Sequence, residues 1–129
     1  RVIRASALLG PFDTAEVRRL LAPVRPEEVD IRLLPRSLQR VVPRWVAAVT
    51  TPWAVYVRPQ ALTNGDEAIA RLVVHELVHW RQWRTLGVVG FLRRYVGDYL
   101  RGRMRGLDHR SAYLEIGLER EATEAARRV

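Results

Sequence analysis

The spacing of apolar residues changes character near residue 64. Before that point the pattern is short and strand-like. Val29-Asp30-Ile31-Arg32-Leu33 alternates apolar and polar side chains with period two, the signature of a half-buried strand. Residues 47–50 and 53–58 read as two further strands, the second rich in β-branched and aromatic side chains (Val55, Tyr56, Val57). Asp13-Thr14-Ala15-Glu16 forms a capping box that opens a short helix through about Leu21, and Pro23 and Pro26 end it. Residues 37–42 suit a helical turn or a loop equally. All seven prolines lie between positions 11 and 59, which separates an irregular, strand-bearing half from a helical one. No linker or repeat divides the halves, so residues 1–129 read as a single domain.

After Asn64 the spacing is helical. Thr63 or Asn64 is the expected N-cap, with Asp66 and Glu67 each completing a capping box three residues on. Gly87 is the expected stop, with Arg81 and Arg84 near the negative end of the dipole. Between these signals Ile69, Leu72, Val73, Val74, Leu77, Val78, Trp80 and Trp83 put apolar groups on nearly every side, which predicts a buried helix. Residues 89–103 form an amphipathic helix with Leu92, Tyr95, Val96, Tyr99 and Leu100 on one side and arginines around the rest. Residues 106–117 read as a connection across the site. From about Gly117 a last helix carries Leu118, Ala122, Ala125, Ala126 and Val129 as an apolar stripe.

Composition narrows the chemistry. The chain has no cysteine, so disulfides and thiolate metal sites are excluded, and any metal must be held by three histidines and fourteen acids. The formal charge is +8 and all 22 basic residues are arginine, a weak pointer to nucleic acid or an anionic surface. No apolar run approaches the ~18 residues of a membrane span. Residues 1–9 lack the hydrophobic region and cleavage site of a signal peptide, and the default compartment is the cytoplasm.

The candidate chemistry lies in His75-Glu76-Leu77-Val78-His79. Two histidines four apart on a helix share one face, with Cβ atoms roughly 5–6 Å apart, so both imidazoles can converge on one ion. Glu76 is rotated about 100° from His75 and flanks that ion, placed to take a proton from water. Two histidines and a glutamate in a buried helix need partners, and a metal satisfies all three.

These residues, together with Leu118-Glu119-Arg120-Glu121-Ala122 and the strand at 53–58, resemble the gluzincin branch of zinc metallopeptidases, and more narrowly the minimal, zincin-like bacterial domains. The resemblance spans about residues 53–128. It implies an α+β, zincin-like fold: a small, mostly antiparallel sheet of about three strands packed on a central helix, with two or three further helices. It implies Zn2+ held by His75 and His79 and completed by a glutamate from the later helix. Glu119 suits the pattern in which a small residue and then a polar one follow at the third and fourth places (Ala122, Thr123). Glu121 suits the thermolysin-like pattern less well, because Ala125 stands where an aspartate is expected. His109 is a third candidate. Glu76 is then the general base of peptide-bond hydrolysis, and His109, Arg110 and Tyr113 are the candidates to stabilise the oxyanion. The strand before the metal helix reads first as a sheet strand, and at an edge it would hold an extended peptide or protein substrate by main-chain pairing. The alternative reading is a non-catalytic zinc-containing module that binds nucleic acid or an anionic partner through its arginine face.

Overall fold

The alternation around Ile31 produces the strand it predicts, β2 (Asp30–Leu33), with Ile31 in the core and Arg32 exposed. The computed structural model, which describes residues 2–129, sets β1 (Val2–Arg4), β3 (Ala48–Thr50) and β4 (Val55–Val57) beside it in the order β1-β2-β4-β3. The architecture is α+β with a mixed sheet. β1 pairs antiparallel with β2, β2 runs parallel to β4, and β3 returns antiparallel along β4. The sheet is mostly antiparallel, as expected, and has one strand more than the three expected. β1 is too short to show an alternation, and β2 and β4 run the same way because β3 intervenes between them in the chain.

The strand at 53–58 is a sheet strand, as its composition predicts, but not at the edge where it could hold a peptide. Its ordered part, β4, lies inside the sheet, with Val55 and Val57 fully buried, and β3 is the edge. Trp53 falls outside the strand.

Six helices complete the chain: α1 (Ala5–Leu9), α2 (Ala15–Leu21), α3 (Arg36–Gln39), α4 (Asp66–Met104), α5 (His109–Leu114) and α6 (Gly117–Ala126). That is more than the two or three expected beside the central helix. Thr14 caps α2, its hydroxyl accepting from the Val17 amide at 3.2 Å, while Asp13 pairs with Arg18 at 2.8 Å. The capping box expected at 63–67 does not form. The Thr63 hydroxyl is spent on Gln60 O at 2.7 Å, and the chain enters α4 through Gly65 at φ 97°, with no side-chain cap. Asp66 and Glu67 supply negative charge to the first turn instead.

The first part of α4 is the centre of the core. Val73, Val74, Leu77 and Val78 are buried against Ile31, Val55, Val57, Leu9 and Leu21. Each such side chain contributes about 1.5–3 kcal/mol relative to exposure. Gly87 then breaks the helix at φ 74°, ψ 169°, so the predicted stop lies inside one long helical run. Beyond the break, Phe91 stacks on Trp83 at 3.7 Å between ring centres, and Tyr95 stacks on Phe91 at 5.3 Å.

The apolar side expected for residues 89–103 therefore divides. Tyr95 and Tyr99 turn inward to hydrogen-bond Glu119 and His109, and Leu92, Val96 and Leu100 stay exposed. The expected connection at 106–117 contains α5, capped by Asp108, whose carboxylate accepts from the Ser111 amide at 2.8 Å. α5 packs closely on α4: a Cβ at Gly102 would stand 3.1 Å from that of Ala112. Among the described residues no helix is long and apolar enough to cross a membrane.

The backbone at Gly87 lies in a region open essentially to glycine alone. Gly87→Ala is expected to cost about 1–3 kcal/mol of stability, read as a lower midpoint in urea unfolding. An unchanged midpoint would show that the break moves elsewhere without strain.

Candidate metal centre

The first part of α4 presents His75 and His79 on one face, with ring centres 4.9 Å apart. α6 lies across that face because Leu118 and Ala122, on either side of Glu119, are buried in the core. Their burial fixes the carboxylate between the imidazoles. His75 Nε2 stands 3.0 Å from Glu119 Oε1, and His79 Nε2 stands 3.0 Å from Glu119 Oε2. One ligand atom from each of the three residues lies within 4.8 Å of the others.

Gln82 holds the second histidine. Its amide nitrogen donates to Leu118 O at 3.0 Å and to Glu121 Oε1 at 2.8 Å, so its oxygen must face His79 Nδ1, 2.8 Å away. The proton on neutral His79 is therefore on Nδ1, and the lone pair of Nε2 faces Glu119. That nitrogen is buried and makes no hydrogen bond of ordinary geometry among the described residues, although Glu119 Oε2 lies 3.0 Å away. A buried acceptor in this position is costly unless something electrophilic occupies the point it faces.

The charges point the same way. Glu76 and Glu119 are only 4% and 5% exposed, and among the described residues the only basic groups within ion-pair distance of them are the imidazoles of His75 and His79. Burial opposes a charged His79, but the proximity and charge of Glu119, with that of Glu76, outweigh it and bring its pKa to about 9. Burial likewise opposes a charged Glu119, and the two imidazoles outweigh it, holding the carboxyl well below the usual range. A site that draws a proton this strongly draws a cation by the same field. Two neutral imidazoles and a carboxylate, with no thiolate and space on the cleft side, are the donor set of three-ligand zinc sites.

Other groups orient this set. Tyr95 donates to Glu119 Oε2 at 2.7 Å. Burial, then the charge of Glu119, raises the Tyr95 pKa far above its ordinary value and keeps it a donor. Thr50 donates to Glu76 Oε1 at 2.8 Å and holds that carboxylate beside the triad, with its Oε2 3.9 Å from His75 Nε2.

Of the alternatives read in the sequence, Glu121 turns to Gln82 and supports the site from behind. His109 lies on α5, its Nδ1 2.7 Å from the Tyr99 hydroxyl, outside the group of three. Arg110 stacks loosely on Trp45. Tyr113 reaches the site, where burial and the charges of Glu119 and Glu76 raise its pKa far above normal. Gln82, Thr50 and Tyr95 were not anticipated. Gln82 left a signal, since it stands three residues after His79 on the same helix face.

Two clefts open on either side of the triad, of about 420 and 580 Å3, and share Trp45, Glu76, Tyr113 and Glu119. The smaller is walled by Trp83, Phe91, Leu92 and Tyr95. The larger carries Arg71, Arg110 and Arg127. β3, which has no strand partner on its outer side, contributes Ala48 to both.

Replacing Gln82 by methionine keeps the bulk and removes the fixed orientation of His79. Zinc affinity, measured by competition with a chromophoric chelator, is expected to fall about 10–100-fold. No change would mean that packing alone orients the imidazole. In comparisons with family models, curated proteins and solved structures, nothing matched this chain.

Proposed function

We propose that this chain is a zinc-dependent peptidase of zincin-like type, with His75, His79 and Glu119 as metal ligands and Glu76 as general base. The observation that supports it best is the pairing of the triad with a second buried carboxylate, Glu76, held by Thr50 at its margin. A structural metal site has no use for that second charge. Zinc held there supplies a Lewis acid that polarises a carbonyl and lowers the pKa of water from ~15.7 to about 7.

The chain's own groups do the rest. Thr50 occupies Glu76 Oε1 and leaves Oε2 to take the proton of the attacking water and return it to the leaving amine. Tyr113, kept protonated by burial and by the neighbouring carboxylates, is the donor best placed to meet the developing oxyanion. It takes that role ahead of His109, which is engaged with Tyr99, and Arg110, which stacks on Trp45. Tyr95 keeps Glu119 turned toward the imidazoles. The open side of β3 lies along both clefts, where an extended peptide can add as a strand. The aromatic walls exclude water from one side of the scissile bond and suit a large apolar side chain there.

Metal content of the purified parent, His75→Ala, Glu119→Ala and Glu121→Ala tests the ligand set. About one zinc per chain is expected in the parent and in Glu121→Ala, and little in the other two. Iron in place of zinc would replace the hydrolytic reading, since the same donors serve iron(II).

Glu76→Gln is expected to retain zinc and to lose about 10²–10⁴-fold in kcat on a mixed peptide substrate followed by mass spectrometry. Substantial activity in that variant would remove the general-base assignment. Zinc with no hydrolysis by the parent would leave a metal-stabilised binding module.

A further inference from the structure

Beyond Gly87, α4 carries a second apolar stripe that nothing among the described residues covers. Val89, Leu92, Val96, Leu100 and Met104 recur at helical spacing on the side away from Phe91 and Tyr95, and all are exposed, Val89 by 70% and Met104 by 86%. A solvated helix places polar residues there. Trp53, 80% exposed, lies in the loop that Arg84 ties to the first part of α4 by donating to Pro52 O at 3.0 Å. Leu92 also lines the aromatic cleft, so the stripe reaches the mouth of the site.

The charges around the stripe select its partner. Arg93 and Arg103 lie within or beside it and form no ion pair among the described residues, whereas Arg101 pairs with Asp98. A second copy would bring these arginines against their equals in a chain of charge +8. Nucleic acid would satisfy the arginines but leave five large apolar side chains without use. An anionic bilayer satisfies both, since the apolar side chains enter the acyl boundary and the guanidiniums reach phosphate oxygens at the headgroups.

We propose that residues 88–104 form a peripheral docking surface for anionic phospholipid bilayers, which sets the mouth of the aromatic cleft against the membrane. The surface is independent of the peptidase reading and stands or falls without it.

The test is sedimentation of the intact chain with vesicles of phosphatidylcholine alone and of phosphatidylcholine mixed with phosphatidylglycerol. Association with the mixed vesicles is expected to be at least about tenfold stronger and to weaken with salt. Val96→Glu with Leu100→Glu is expected to reduce it about tenfold or more, with helix content and thermal midpoint retained, since both side chains are exposed. Arg93→Glu with Arg103→Glu is expected to remove the preference for phosphatidylglycerol.

Three results would overturn the proposal. One is a folded chain that ignores the mixed vesicles. Another is association indifferent to the Val96 and Leu100 changes, which would be adsorption by charge alone. The third is a dimer in sedimentation equilibrium that the same changes dissolve, which would give the stripe to a second copy.

Discussion

Two buried carboxylates met within ion-pair distance, among the described residues, only by two imidazoles of one helix are the condition on which the rest of this structure depends. Burying a charge costs several kcal/mol per ion even after relaxation. Arg71, Arg110 and Arg127 line the larger cleft beside these carboxylates, yet none forms an ion pair with them. The cost is carried by the sheet-facing side of α4, where Val73, Val74, Leu77 and Val78 pack into a continuous apolar core. Stability gained on one face of the helix holds an electrostatically unfavourable cluster together on the other. Strained clusters of this kind are found where function requires them.

The surrounding elements then follow as supports. α6 brings Glu119 because its flanking residues are core residues, and Gln82 couples that helix to His79 through a carbonyl and a carboxylate at once. β3 meets α4 through Thr50, which touches Glu76 through its hydroxyl and Trp83 through its carbonyl. The sheet edge and the histidine-bearing helix are thereby held together. The break at Gly87 lets the same chain that supplied the histidines turn back and supply Tyr95.

How much of this was legible depended on the range of the interaction. The histidine pair, Glu76 and the break at Gly87 are local in sequence and could be read directly. Glu119 could be ranked ahead of Glu121 only through a resemblance, because both glutamates border the same apolar stripe of α6, and their roles diverge only when Gln82 arrives from another helix. Thr50 and Tyr95 left no sequence signal, since each acts across 24 or more residues. The N-terminal strand is three residues long, less than two periods of alternation, and its place at the sheet edge is set by pairing with β2. The cap of α4 was misread because Thr63 had two hydrogen bonds to choose between, and the 3-10 turn at Pro59–Thr63 took it.

The interruption at Gly87 also divides the molecule in time. Helical order spreads residue by residue through the hydrogen-bond ladder, and a non-helical residue stops it. The histidine-bearing part of α4 is locked to the sheet, while the part after Gly87 leaves Val89, Leu92, Val96, Leu100 and Met104 exposed and packs mainly through Phe91, Tyr95, Tyr99 and Gly102. The two are therefore expected to open as separate cooperative units, the second at lower free energy and with faster amide exchange. When the second unit opens, Tyr95 leaves Glu119 and the aromatic wall parts, while both histidines stay in place. The histidines on α4 and the wall that shields them would thus run on different clocks.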